Sequence, residues 1–182
     1  MPKNVVRREE IPLPPPPKGG YSSFRLVDFY YDDGSAERIW TKDDVVLVVG
    51  LTEKGEVLAV SEKGFTHIAS GFVDAGEKPE DAARRELTEE TGYKSEKIEL
   101  VARALQDSGY SPRSIWFYIA RDCTKVQEPE RGISVTLMSP KALWEILTTY
   151  MLSEPSVPHE GLNPLAGISL VFQKLGWLSV SE

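Results

Sequence analysis

Cysteine is nearly absent: Cys123 stands alone among 182 residues. That excludes an internal disulfide and a cysteine-based zinc site, and Cys123 reads as a small strand or loop filler rather than a nucleophile. Long apolar runs are also missing, with none approaching the roughly 18 residues of a membrane span. The opening segment, MPKNVVRREEIPLPPPP, lacks the apolar core of a secretory signal, so a cytoplasmic protein without membrane partners is expected. No lysine or arginine stripe is present and the net charge is −7, which argues against extended nucleic-acid binding through phosphate contacts. Small phosphorylated ligands stay open. A chain of this length fits one domain of ordinary size with a sizeable core.

Residues 1–20 are polar and proline-rich, ending in PLPPPPKGG, a stretch that favours polyproline II followed by a glycine hinge. They form an arm, either solvated or packed on a partner subunit; residues 21–182 form the domain proper. Strand patterns follow in FRLVDFYY, ERIWT, DVVLVVGL and EVLAVSE, separated by the turn signals Asp32-Asp33-Gly34 and Glu53-Lys54-Gly55. VVLVVGL is apolar almost throughout and reads as a central strand, with EVLAVSE expected to pair with it across the short turn. KIELVARAL, SIWFYIA and GISVTLM are further strands. Ser139-Pro140 carries the start signals of a helix over KALWEILTTY, and a last helix is expected through LAGISLVFQKLG. Strands interleaved with helices imply an α/β/α sandwich around a mixed β-sheet.

The densest chemistry lies in Gly71 to Tyr93, GFVDAGEKPEDAARRELTEETGY. If Pro79 opens a helix and Gly92 closes it, Glu86 and Glu90 share one face while Arg85 and Glu89 share the next. Three glutamates in the last turns of a helix repel one another at the negative end of its macrodipole. A divalent cation removes that repulsion, and hard carboxylate oxygens suit Mg²⁺ or Mn²⁺. Glu86 and Glu90 are the first ligands expected, then Glu89. Ala82, Ala83 and Leu87 form the packing side of the helix.

Gly71, Glu77, Arg85, Glu86, Leu87, Glu89, Glu90, Gly92 and Tyr93 match the Nudix box at every spacing, with Tyr93 aromatic where the family usually has an aliphatic residue. The sequence resembles a Nudix hydrolase of the ADP-ribose pyrophosphatase type. The resemblance implies the α/β/α sandwich, a homodimer, and metal-dependent hydrolysis of the pyrophosphate bond in a nucleoside diphosphate derivative. It adds the Ser70 carbonyl as a metal ligand. Glu77 holds the loop or a second metal, and Arg85 orients Glu89 or Glu77 as a bidentate guanidinium does. Family members place the general base either in the box or in a later loop, so Glu89 and Glu90 stand beside Glu128 and Glu130 of QEPERG, with Glu130 preferred. His67 and His159 read as structural or surface residues.

QDSGYSPRSIWFYIA is similar to the region after the box in ADP-ribose pyrophosphatases. ADP-ribose or an ADP-sugar is the implied substrate, ahead of a nucleoside triphosphate and of a non-catalytic nucleotide sensor. Gly71, Tyr110 and Arg113 are the residues expected at the substrate: tight backbone in the loop, a ring that stacks on a base, and a cation for phosphate. On the strand of Trp116, alternation puts Ile115, Phe117 and Ile119 on the opposite face.

Overall fold

A computed structural model of the chain describes residues 4–12, 24–62, 64–106, 113–153 and 162–178. The chain groups into two units, residues 1–44 with 105–114 and residues 45–104 with 115–182. The first contains the antiparallel strands β1 (Val5–Ile11), β2 (Phe24–Tyr31) and β3 (Ala36–Lys42) in that spatial order. Val5–Ile11 pairs along β2, from Val5 opposite Tyr31 to Ile11 opposite Leu26. The prolyl stretch 13–20 lies outside the described residues.

The second unit holds the remaining elements, apart from residues 105–106 at the end of β9 and 113–114 at the start of β10, which group with the first. These are β4 (Val45–Gly50), β5 (Val57–Glu62), β6 (Phe65–His67), β7 (Ala69–Phe72), α1 (Pro79–Thr91), β8 (Tyr93–Lys94), β9 (Lys97–Gln106), β10 (Arg113–Arg121), β11 (Thr124–Lys125), β12 (Ile133–Met138), α2 (Pro140–Ser153) and α3 (Leu162–Lys174). Sheet order is β7-β4-β10-β9, with β4 parallel to β10 and antiparallel to β7, so the sheet is mixed. A second sheet runs β12-β5-β6 and is antiparallel.

Alternation along β4 and β10 makes the layers. Leu47 and Val49 share a face with Ile115, Phe117 and Ile119, and this face packs against Leu143 of α2 and Ile168, Val171 and Phe172 of α3. Val46 and Val48 share the other face with Tyr118 and Ala120, and that face packs against Ala82, Ala83 and Leu87 of α1. Trp116 lies on the α1 face, half-buried, with the Arg103 guanidinium 4.8 Å from its ring centre. Each fully buried Val, Leu, Ile or Phe contributes roughly 1.5–3 kcal/mol. With both faces of β4 sealed, that strand is apolar throughout.

The expected pairing of EVLAVSE with VVLVVGL is corrected by the structure. Beyond an isolated bridge between Leu51 and Val57, β5 pairs with β12 and β6 instead. The Leu51 N–H donates to the Ala120 carbonyl at 2.8 Å and the Leu51 carbonyl accepts from Cys123 N–H at 2.8 Å. The end of β4 is thus committed to the β10 side, leaving β5 to find other partners.

Gly167 of α3 gives a stability test. A Cβ there falls 1.9 Å from Phe117 Cζ and 2.0 Å from Cε1, and the Phe117 ring is only 1% exposed. Alanine is about 1 kcal/mol the better helix former, but overpacking a sealed core costs about 1–3 kcal/mol. Gly167→Ala should therefore lower the urea midpoint, and a midpoint at or above wild type contradicts this packing.

Candidate active site

The helix α1 ends as its sequence dictates. Pro79 occupies its first turn, and Gly92 adopts the left-handed conformation (φ 74°), its N–H capping the Thr88 carbonyl at 2.9 Å. Glu80 and Asp81 complement the macrodipole in the first turn, but the last turn contains no basic residue. Glu86, Glu89 and Glu90 stand at that negative end.

A single guanidinium gathers the neighbouring carboxylates. Arg85 Nε donates to Glu77 Oε1 at 3.0 Å and one terminal nitrogen donates to Glu77 Oε2 at 2.9 Å, a bidentate pair. The same nitrogen also donates to the Phe72 carbonyl at 2.8 Å, while the other reaches Glu86 Oε1 at 2.6 Å and Glu89 Oε2 at 3.1 Å. Glu77 Oε2 accepts from Asp74 N–H at 3.0 Å, which closes the loop on itself, and Arg85 ties that loop to the helix. Arg85 holds the Glu77 carboxyl below its usual range, and Glu77 in turn raises the guanidinium further above its own.

Glu86 lies in a glycine cradle. A Cβ on Gly71 would meet its Cδ and Oε1 at 2.0 Å and its Oε2 at 2.4 Å. Glu90 Oε2 accepts from Ser70 N–H at 2.9 Å, so β7 contributes backbone at two successive residues. Burial lifts the Glu86 carboxyl above its usual range despite Arg85. Burial also pushes Glu90 up to about 7, opposed by the Ser70 N–H and assisted by the charges of Glu86, Glu62 and Glu130. One arginine among so many carboxylates leaves negative charge uncompensated.

The loop after β11 is clamped to the end of α1. Val126 and Gln127 N–H donate to the Gly92 carbonyl at 2.8 and 3.1 Å, and Glu130 N–H donates to the Glu89 carbonyl at 2.9 Å. A side chain on Gly92 would strike the Gln127 carbonyl oxygen at 2.2 Å. The clamp brings Glu130 to the cluster, whereas Glu128 pairs with Lys125 at 2.7 Å. It leaves no trace in the local sequence pattern, since its bonds are backbone to backbone. His67 is half-buried with Nδ1 2.9 Å from the Ile68 carbonyl. Arg113 opens β10, in the unit of residues 1–44 and 105–114; Tyr110 and His159 lie outside the described residues. Cys123 is buried, its thiol pushed up to about 11 by burial.

The NUDIX domain family model matches residues 41–151, more than half of the sequence. The chain belongs to the Nudix family. The chain is 26% identical over 119 residues to an ADP-ribose pyrophosphatase of Bacillus subtilis (strain 168), covering 58% of this chain and 64% of that protein. It is 31% identical over 116 residues to a methanol dehydrogenase activator of Bacillus methanolicus, covering 57% and 63% respectively. The chain thus spans a little under two thirds of these relatives. A mouse ADP-sugar pyrophosphatase is 52% identical over 42 residues, 23% of this chain and 19% of that one. The crystal structure of an ADP compounds hydrolase superposes with a TM-score of 0.57 at 13% identity, covering 98% of each chain, a likeness of fold. Among the described residues, no helix is long and apolar enough to cross a membrane.

Nudix hydrolases use divalent metal ions. Among the described residues no three carboxylate, imidazole or thiol groups already converge as ligands. Arg85 engages one oxygen each of Glu86 and Glu89. The donor set nevertheless fits a hard cation, since the Glu86 carboxylate is cradled by Gly71 and the Glu90 carboxylate is half-buried with no guanidinium on it.

Glu90 gives the metal-free protein a pH signature. Its folded pKa of about 7 lies above the usual glutamate value of 4.5, so the native state retains a proton that the unfolded chain releases between them. This contribution to stability is fully present below the unfolded pKa and lost as pH rises through the folded one. In EDTA, Glu90→Gln should gain stability relative to wild type as pH rises from about 4.5 to about 7. Parallel urea midpoints for the two proteins across that window contradict the assignment.

Proposed function

We propose that this Nudix protein hydrolyses the pyrophosphate bond of a nucleoside diphosphate derivative, ADP-ribose or an ADP-sugar, with Mg²⁺ or Mn²⁺. The observation that carries the reading is that β7 meets two carboxylates of α1, Glu86 in the cradle at Gly71 and Glu90 on the Ser70 N–H, with Arg85 fixing the adjoining carboxylates. Glu86 and Glu90 are the principal cation ligands, with Glu89, Glu77 and the Ser70 carbonyl as further donors. A divalent cation held by these carboxylates would supply charge to neutralise the diphosphate and to lower the pKa of the attacking water. Glu130, held by backbone at the rim of the cluster, is the general base. Arg85 keeps Glu77 and the loop after Gly71 in place, and Gly71 lets the diphosphate approach the backbone.

The substrate class is supported by the names of the Bacillus subtilis and mouse relatives, both pyrophosphatases of ADP derivatives. An RNA pyrophosphohydrolase of Cereibacter sphaeroides (strain KD131 / KCTC 12085) is 59% identical, but over only 34 residues, so that likeness bears on the reaction and not on the substrate. Tyr110 and Arg113 are the proposed contacts to base and phosphate. The test is a comparison of kcat/KM for ADP-ribose, ADP-glucose, NADH, diadenosine polyphosphates and the common triphosphates, each with Mg²⁺ or EDTA. ADP-ribose or ADP-glucose should rank first; a triphosphate in first place overturns the substrate assignment while leaving the reaction intact.

A further inference from the structure

We infer that the outer edge of β7 binds the diphosphate directly, with the Phe72 N–H donating to one of its oxygens; this rests on the Nudix hydrolase reading above. β7 is the terminal strand of its sheet, so one row of its backbone groups has no strand partner. In an antiparallel pair the N–H and C=O of one residue point the same way, and successive residues point opposite ways. Ser70 gives its N–H to Glu90 at 2.9 Å and Phe72 gives its carbonyl to Arg85 at 2.8 Å, so residues 70 and 72 turn outward, toward α1. The far side of the ladder agrees. Leu51, at the end of β4, directs its N–H to Ala120 and its carbonyl to Cys123, and counting back by twos reaches Leu47 and Val45, the residues opposite Ser70 and Phe72. Their groups face β10, which leaves the Phe72 N–H on the open edge.

Four backbone groups therefore line this edge. Glu90 occupies the Ser70 N–H and Arg85 the Phe72 carbonyl, while the Ser70 carbonyl is the cation donor proposed above. The Phe72 N–H is the donor that is left. The loop beyond it closes on itself, since the next N–H engaged there, that of Asp74, goes to Glu77. Phe72 is 37% exposed, so the edge is within reach of a ligand. A charged side chain would serve badly at this place: the one guanidinium of the cluster, Arg85, is engaged by Glu77, Glu86 and Glu89. A backbone N–H cannot swing to a carboxylate in that way. It is fixed by the ladder before the ligand arrives and suits a charged phosphate oxygen.

The experiment replaces the N–H alone, by incorporating phenyllactic acid at position 72 so that an ester oxygen stands in its place with the ring retained. Phe72→Pro is a second route, since proline is tolerated on an edge strand where the N–H faces outward, and Phe72→Ala is the control that keeps the N–H. ADP binding is measured by calorimetry in Mn²⁺, Mn²⁺ uptake by electron paramagnetic resonance, and ADP-ribose turnover alongside. The ester should weaken ADP about tenfold or more and raise the KM for ADP-ribose in step, with Mn²⁺ affinity unchanged, whereas Phe72→Ala should bind ADP within a few-fold of wild type. If the ester binds ADP as wild type does, the N–H is not used and the inference fails with the cation site intact. Parallel loss of Mn²⁺ and ADP overturns it too, because the edge then serves the cation alone. A wild type that binds ADP through this N–H yet cleaves no diphosphate keeps the inference and overturns the hydrolase reading.

Discussion

Glu90→Gln should reduce metal-dependent hydrolysis by about a thousandfold, equivalent to roughly 4 kcal/mol of transition-state stabilisation. Glutamine keeps the shape, and its amide oxygen can still accept from the Ser70 N–H that Glu90 engages at 2.9 Å. What is lost is a negative charge on a half-buried oxygen beside Glu86 and Glu130. Losses of about 10–100-fold follow removal of groups that merely orient a ligand, so a direct ligand should cost more. The stability readout points the opposite way. In EDTA, above about pH 7, a carboxylate whose proton affinity burial has raised opposes folding, and its neutral replacement should be at least as stable. Lost activity in a more stable protein cannot be explained by unfolding. A variant that retains wild-type turnover removes Glu90 from the site.

Gly71→Ala should produce a comparable loss from a single methyl group. Its Cβ would occupy the position of the Glu86 carboxylate, 2.0 Å from Cδ and Oε1. Gly71 does not have a positive φ, so alanine meets no backbone penalty. The neighbour that must yield is the far end of a flexible side chain, which can rotate away at a cost of about 0.5–1.5 kcal/mol. The fold should therefore survive while Glu86 is turned off the cradle and its 2.6 Å contact with Arg85 broken. The expected result is divalent-cation affinity lowered by about 100-fold or more, with a urea midpoint close to wild type. Unchanged affinity would show that the cradle has no bearing on the ion. A collapsed midpoint would show instead that Gly71 serves packing.

Much of this site was legible in the sequence because its information is local. Pro79 and Gly92 mark the helix ends, and the four-residue spacings place Glu86 with Glu90 and Arg85 with Glu89. The parity of Ile115, Phe117 and Ile119 likewise predicts the face they seal. What failed was non-local. The short turn after Leu51 suggested a hairpin, but the Leu51 backbone bonds to Ala120 and Cys123 across the sheet. The preference for Glu130 over Glu128 had no non-local information behind it; in the structure the Glu130 N–H bonds to the Glu89 carbonyl while Glu128 pairs with Lys125. Arg85 showed more partners than its spacing suggested, because a guanidinium has five donors and the loop supplies Glu77 and the Phe72 carbonyl.

Whether the carboxylates around Gly71 form a cation-dependent pyrophosphate-cleaving centre is tested most directly by following ADP-ribose by ³¹P NMR with the purified full chain, in Mg²⁺ and in EDTA. Loss of the diphosphate resonances, with equal appearance of AMP and ribose 5-phosphate in Mg²⁺ and none in EDTA, is the predicted result. Cleavage that continues undiminished in EDTA, or a diphosphate that binds and stays intact in Mg²⁺, would contradict it.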